Sequence, residues 1–253
     1  VIVGAFGDHA AYVYARNASN AWPQEATLTD IDDPLNRAFG FSVSISANGM
    51  YALVGANGVG AAFIYARNIS NAWTQEARLD ITFLCQNSGA AVSIDAIGDR
   101  VIMGACNEND LVGAAYIYET ECAPPTPSPT SVPTTFPTPI PPTLSPTSVP
   151  TAFPTLFPTP FPTPVPCLAH LPWTQEARLN VSTSSLFGQS VCFSAIGNRV
   201  IVGAYGENSA YIYVRNASNA WLQEARLHVS TPNFGYSVSI DVAGSRAIVG
   251  APG

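Results

Sequence analysis

Apolar residues run along this chain in short groups of three to six, each closed by Gly, Asn or Ser, and no group approaches the length that spans a bilayer. Such runs predict short strands. They recur with a period near 50 residues. Trp22, Trp73, Trp173 and Trp221 each mark one copy, and a Val-Gly-Ala or Met-Gly-Ala core returns at Gly4, Gly55, Gly104, Gly203 and Gly250. Self-similarity at this period signals a propeller or solenoid.

Aligning the copies gives four strands per unit. Strand one covers residues 41–45, 90–94, 189–193 and 236–240, where small residues alternate with Val and Ile as crowding around a central axis requires. Strand two is the Val-Ile-Val-Gly-Ala run, apolar at successive positions and so buried on both faces. Strand three covers residues 12–14, 63–65, 116–118 and 211–213. Strand four is Trp-X-Gln-Glu-Ala-X-Leu, the partly solvated outer edge. Asn48-Gly49, Gly98-Asp99, Gly197-Asn198 and Gly244-Ser245 fall between strands one and two and accept the positive φ of tight hairpins. The pattern predicts an all-β fold, a β-propeller of four-stranded antiparallel blades, with four to five blades in this chain. Strand two occurs once more often than the others, which predicts a fragment of a larger ring.

The period breaks once. Tyr14 to Trp22, Tyr65 to Trp73 and Tyr213 to Trp221 are each 8 residues apart, but Tyr118 to Trp173 is 55. The extra residues hold 17 of the 22 prolines, between Pro124 and Pro166. Proline at this density removes donors and fixes φ, so the segment is expected to be an extended, disordered polyproline insert within a blade hairpin. The chain is therefore divided into propeller blades at 1–121, a Pro/Thr/Ser-rich insert at 122–167 and further blades at 168–253. Cys122 and Cys167 flank the insert where the interrupted hairpin closes, and a disulfide there would contribute roughly 3 to 4 kcal/mol. Cys85 and Cys106 lie at adjacent ends of strands one and two of the third repeat and form a second candidate pair. Cys192 has no obvious mate and reads as a buried thiol.

Charge narrows the partners. Only 11% of residues are charged, the net charge is −7, and the 10 Lys and Arg residues form no basic run, so nucleic acid is excluded as a partner. Sequons occur at Asn17, Asn68, Asn180 and Asn216, three of them in the repeated Arg-Asn-X-Ser-Asn-Ala-Trp. They predict N-glycosylation and an extracellular or cell-surface location.

Phe39-Gly40, Phe187-Gly188 and Phe234-Gly235, each followed by Val-Gly-Ala and once by Gly250-Ala251-Pro252, resemble FG-GAP repeats, the blades of the integrin α-chain propeller. The Trp-Thr-Gln-Glu-Ala-Arg-Leu strand is similar to a subfamily of these repeats in large secreted and surface proteins. The third repeat departs from the pattern, with Ser88-Gly89 in place of Phe-Gly. The resemblance implies a propeller, usually of seven blades, working in adhesion or ligand binding. It would also imply calcium loops between strands one and two. Here those loops, such as Asp95-Ala-Ile-Gly-Asp99, offer at most two carboxylates, so no cofactor or metal is expected.

Antiparallel order sorts the loops onto two faces. The sequons at 17, 68 and 216 and the insert crowd the face of the three-to-four connections. The opposite face carries Asp8, His9, Asp32, Asp33, Glu108, Asp110, Tyr205 and Glu207, the candidate ligand-binding residues. No nucleophile elbow, phosphate loop or zinc-protease motif is present, and His9, His170 and His228 share no repeat position. The expected function is a non-catalytic interaction module for a protein or carbohydrate partner, with no membrane insertion. The alternatives are an accessory propeller of a secreted hydrolase and a structural wall or matrix glycoprotein.

Overall fold

The computed structural model describes residues 1–32, 38–80, 91–120, 172–182 and 185–253. Five antiparallel sheets follow one another. The first holds β1 (Ile2–Ala5), β2 (Ala10–Tyr14) and β3 (Gln24–Leu28). The second holds β4 (Phe39–Ile45), β5 (Tyr51–Ala56), β6 (Ala61–Arg67) and β7 (Trp73–Asp80). The third holds β8 (Val92–Ile94), β9 (Arg100–Ala105), β10 (Ala114–Glu119) and β11 (Thr174–Leu179). The fourth holds β12 (Phe187–Phe193), β13 (Arg199–Ala204), β14 (Ser209–Arg215) and β15 (Trp221–His228), and the fifth β16 (Ser237–Ile240) and β17 (Ala247–Gly250). Within each sheet the strands lie in chain order, as the repeat predicts. Although the insert separates them in sequence, β10 and β11 pair in the register of the other blades.

The core lies between blades. Each apolar cluster draws on two neighbouring sheets: Phe39, Val54 and Phe63 pack with Val13 and Leu28, and Phe187, Val202 and Tyr211 pack with Ile102 and Ile117. Phe39 and Phe187 are fully buried and meet Phe63 and Tyr211 at 5.2 and 5.7 Å between ring centres. The glycines of the repeat explain this closeness. A Cβ on Gly104 would sit 1.9 Å from the Gly188 carbonyl oxygen, and one on Gly203 would sit 2.0 Å from that of Gly235. Each Phe-Gly thus rests on the Val-Gly-Ala of the preceding blade, backbone on backbone. Strand-one serines add hydrogen bonds across the same boundaries. Ser42 and Ser44 accept from the Val92 and Ile94 amides, Ser93 from Phe193 and Ser190 from Val238, at 3.0 to 3.2 Å.

The repeated Gln-Glu has a distinct job. In every blade the pairing of strands three and four skips the Glu: Tyr65 faces Gln75 while Ile64 faces Ala77, and the same shift recurs at Glu25, Glu176 and Glu224. A β-bulge of this kind re-aims one side chain. Glu25 accepts two bonds from Arg67, both 2.8 Å, and one from the Trp73 indole at 2.8 Å, all from the next blade. Glu176 is held in the same way by Arg215. Burial alone would raise the Glu25 carboxyl, but the Trp73 and Arg67 bonds outweigh it and hold the group below its usual range. Glu25→Ala is therefore expected to lower stability by about 1 to 3 kcal/mol, measured as a reduced urea midpoint with unchanged slope.

Candidate functional site

The structure spreads the candidate ligand-binding residues along one face of the arc. Asp8 and His9 end the first blade's two-to-three connection, where His9 adopts a left-handed φ of 56°. Asp32 is exposed in the following loop, its amide donating to the buried Asp30 at 3.1 Å. Asp33 lies outside the described residues, and Asp110 falls in the short helix Glu108–Leu111. Tyr205 meets Tyr236 of the fifth blade edge-on, 5.4 Å between ring centres. These residues do not converge on one point.

Glu108 and Glu207, however, each anchor a cluster that the sequence reading missed. In the third blade the Tyr116 hydroxyl donates to Glu108 at 2.6 Å, and Arg178 donates to Glu108 at 2.5 Å and to the Tyr116 oxygen at 3.1 Å. In the fourth blade the Tyr211 hydroxyl donates to Glu207 at 2.6 Å and Arg226 reaches the other carboxylate oxygen at 3.3 Å. Tyr and Arg are direct cross-strand partners in both blades, and each guanidinium lies over its Tyr ring. The set fades earlier in the chain. The first blade has Asp8 and Tyr12 with Thr27 at the Arg position, and the second has Val59 and Phe63 beneath Arg78.

The two complete clusters differ in access. The Glu108 side chain is 1% exposed and its arginine 31%, whereas Glu207 is 18% exposed and Arg226 45%. The fourth-blade cluster opens into a groove of about 570 Å³, lined also by Asn180, Ser182 and Gln223. Arg226 is anchored through Nε and Nη2 to Ser209 Oγ at 3.1 and 3.0 Å, which leaves Nη1 for a ligand. Burial, with Glu207 beside it, pushes the Tyr211 hydroxyl far above its usual range, so it remains a proton donor. Among the described residues no cluster of three or more His, Cys, Asp or Glu could hold a metal.

No family model matches the chain and no curated protein matches it in sequence. Solved structures do match in fold. A Pseudomonas aeruginosa periplasmic gluconolactonase aligns over 98% of this chain and 53% of its own, with 14% identity and a TM-score of 0.51. A Bacteroides uniformis protein provisionally assigned as a 6-phosphogluconolactonase aligns over 90% and 51%, with 9% identity and a TM-score of 0.54. A Lactobacillus plantarum protein aligns over 97% and 59%, with 10% identity and a TM-score of 0.56. The fold is a β-propeller. The chain spans somewhat more than half the length of these structures.

These findings correct the integrin resemblance: the fold neighbours include lactonase-type propellers, and no FG-GAP model matches. The physical reason lies in the blade boundary. Phe-Gly over Val-Gly-Ala is what close backbone packing between blades requires, so the motif reports that packing. The non-catalytic adhesion reading rested on the resemblance and falls with it, because the matched folds include catalysts.

The glycoprotein expectation is corrected as well. Asn17, Asn68 and Asn216 each head a tight turn, their side-chain oxygens accepting the amides two and four residues on at 2.9 to 3.0 Å, while Asn20, Asn71 and Asn219 take positive φ. The turn itself requires this Asn, so the repetition of the sequon is no evidence for sugar. No disulfide joins the described residues. Cys106 Sγ lies 3.1 Å from Gln189 Oε1, and Cys85, Cys122 and Cys167 lie outside the described residues.

Proposed function

We propose that the chain forms part of a lactonase-type hydrolase whose ligand is a small polyhydroxylated lactone, held in the groove beside Glu207, Tyr211 and Arg226. One observation carries this reading. Of two copies of the same Glu–Tyr–Arg cluster, one is closed and the other opens onto a polar groove of ligand size. Asn180, Ser182 and Gln223 offer amide and hydroxyl groups that pair with sugar hydroxyls. The fold likeness to a gluconolactonase supports the substrate class.

The chemistry asked of the site is modest. Water attacks the lactone carbonyl carbon while Glu207 takes its proton, with Tyr211 orienting the carboxylate. The negative charge that forms on the carbonyl oxygen faces Arg226, which exchanges its long contact with Glu207 for the stronger developing charge. The carbon–oxygen ring bond then breaks, and the ring oxygen leaves as an alcohol carrying the proton that Glu207 took.

Hydrolysis of glucono-δ-lactone, followed by proton release above the spontaneous rate, tests this. Saturable turnover is expected, with Glu207→Gln lowering kcat by about 100-fold and Arg226→Ala lowering kcat/KM. Glu108→Gln, in the closed copy, should leave the rate unchanged. A rate no faster than buffer, or one indifferent to Glu207 and Arg226, would overturn the proposal.

A further inference from the structure

On the opposite face from the groove, the turns between strands one and two surround an axial cavity of about 260 Å³. Its walls are mainly apolar, with Ile45, Ile94, Phe193, Ile240 and Val242 contributed by four successive blades. Asp95 also lines it. The Asp95 residue is 2% exposed. Its Oδ1 caps the turn, accepting from the amides of Gly98 at 2.7 Å and Asp99 at 3.2 Å, but Oδ2 is buried and accepts no hydrogen bond.

A carboxylate is not what this turn needs. The equivalent residues in the blades on either side are Ser46 and Ser194, which cap the same turns with a neutral hydroxyl, Ser46 Oγ accepting from the Tyr51 amide at 3.0 Å and Ser194 Oγ from Arg199 at 3.2 Å. Asp241, the other acid at this position, is more exposed and meets Ser245 and Arg246. Asp95 therefore brings a second oxygen and, once ionised, a negative charge to a buried position, where an uncompensated charge is costly. The charges facing it do not balance it. Asp99 of its own turn lies beside it, Arg100 is 3.5 Å from Asp99 and shared with Glu119 and Glu176, and Arg199 of the adjoining turn is bound to Glu224.

We infer that the axial cavity is a binding site for a small organic ammonium ion with an apolar body, its charge met by Asp95. The ammonium supplies the positive charge and donors that Oδ2 lacks, and the Ile, Val and Phe walls cover the hydrocarbon. Ser44 and Ser93, whose hydroxyl oxygens each accept one backbone amide, retain a second lone pair toward the ligand.

Calorimetric titration with n-butylammonium tests the inference directly, beside n-butanol as the uncharged shape match. The expected result is saturable binding at least tenfold tighter for the amine, with protons released from Asp95 at neutral pH. Asp95→Ser, which restores the residue found in the flanking blades and so keeps the turn, should abolish the difference between amine and alcohol. Absence of saturable amine binding, or equal binding by the Ser variant, would overturn it. So would Asp95-dependent saturation by Ca²⁺ alone.

Discussion

Gly104→Ala is expected to destabilise the protein by about 3 to 5 kcal/mol and to lower its melting temperature by roughly 8 to 15 °C. The added methyl would stand 1.9 Å from the Gly188 carbonyl oxygen and 2.8 Å from its carbon. Both are backbone atoms, so no rotamer change relieves the overlap and the third and fourth blades must separate. That separation opens the cluster around Phe187, Val202 and Ile102, where loss of contact carries the larger part of the cost. Gly7→Ala is the control, because nothing lies within 4 Å of the position its Cβ would take. Its effect should stay within about 0.5 kcal/mol. Equal melting temperatures for the two variants would show that the Gly104 contact does not hold the blades together.

The second large effect is on pH dependence. Burial first, and then the neighbouring Asp99 carboxyl, push the Asp95 carboxyl up to about 8, against the pull of the Gly98 and Arg100 amides. A carboxyl raised in the folded state binds its proton more tightly there than in the unfolded chain. The stability this gives is complete below the ordinary carboxylate value near 3.8 and is lost as the pH rises through about 8. Stability should therefore fall by roughly 1 kcal/mol for each pH unit between about pH 5 and 8. Asp95→Asn keeps the acceptor for the turn but cannot ionise. Its urea midpoint should be nearly flat over that window, close to the parent at pH 5 and above it at pH 8.5. A parent protein that gains stability as pH rises from 5 to 8 would contradict the assignment.

The blades themselves were legible because the residues that build them obey local rules. Alternation in residues 41–45, successive apolar positions in Val101, Ile102 and Met103, and Asn-Gly or Gly-Asp pairs at the turns each act within a few residues of chain. What could not be read were events that depend on register. Gln-Glu was visible as a repeated, structural pair, but the bulge that turns Glu25 toward Arg67 appears only when Tyr14 is seen to face Gln24 while Val13 faces Ala26. Its partner lies 42 residues further along the chain.

The same slip hid part of the candidate site. Glu108 and Glu207 stood out as acids on a bare face, while Tyr116, Arg178, Tyr211 and Arg226 looked like routine members of a repeat. Only the shifted pairing sets each Tyr opposite its Arg. A usable signal existed in the alignment: acid, Tyr and Arg occur together in two repeats, whereas the first lacks the Arg and the second lacks the acid and the Tyr. Asp95 posed a different problem. In sequence it belonged to a loop too poor in carboxylates for calcium, and nothing local reveals that one of its oxygens is enclosed by the turns of neighbouring blades.

The bulged glutamates also set how stress travels through the molecule. Glu25 and Glu176 each tie their blade to the one that follows, so the blades behave as beads coupled to nearest neighbours, and their joints need not be equally strong. Between the second and third blades the sequence of this tie differs: Thr120 stands where Arg67 and Arg215 stand elsewhere. Amide exchange should therefore show a seam at that boundary, with residues 1–80 and residues from 91 onward opening as two separate cooperative units, parting there before either half melts.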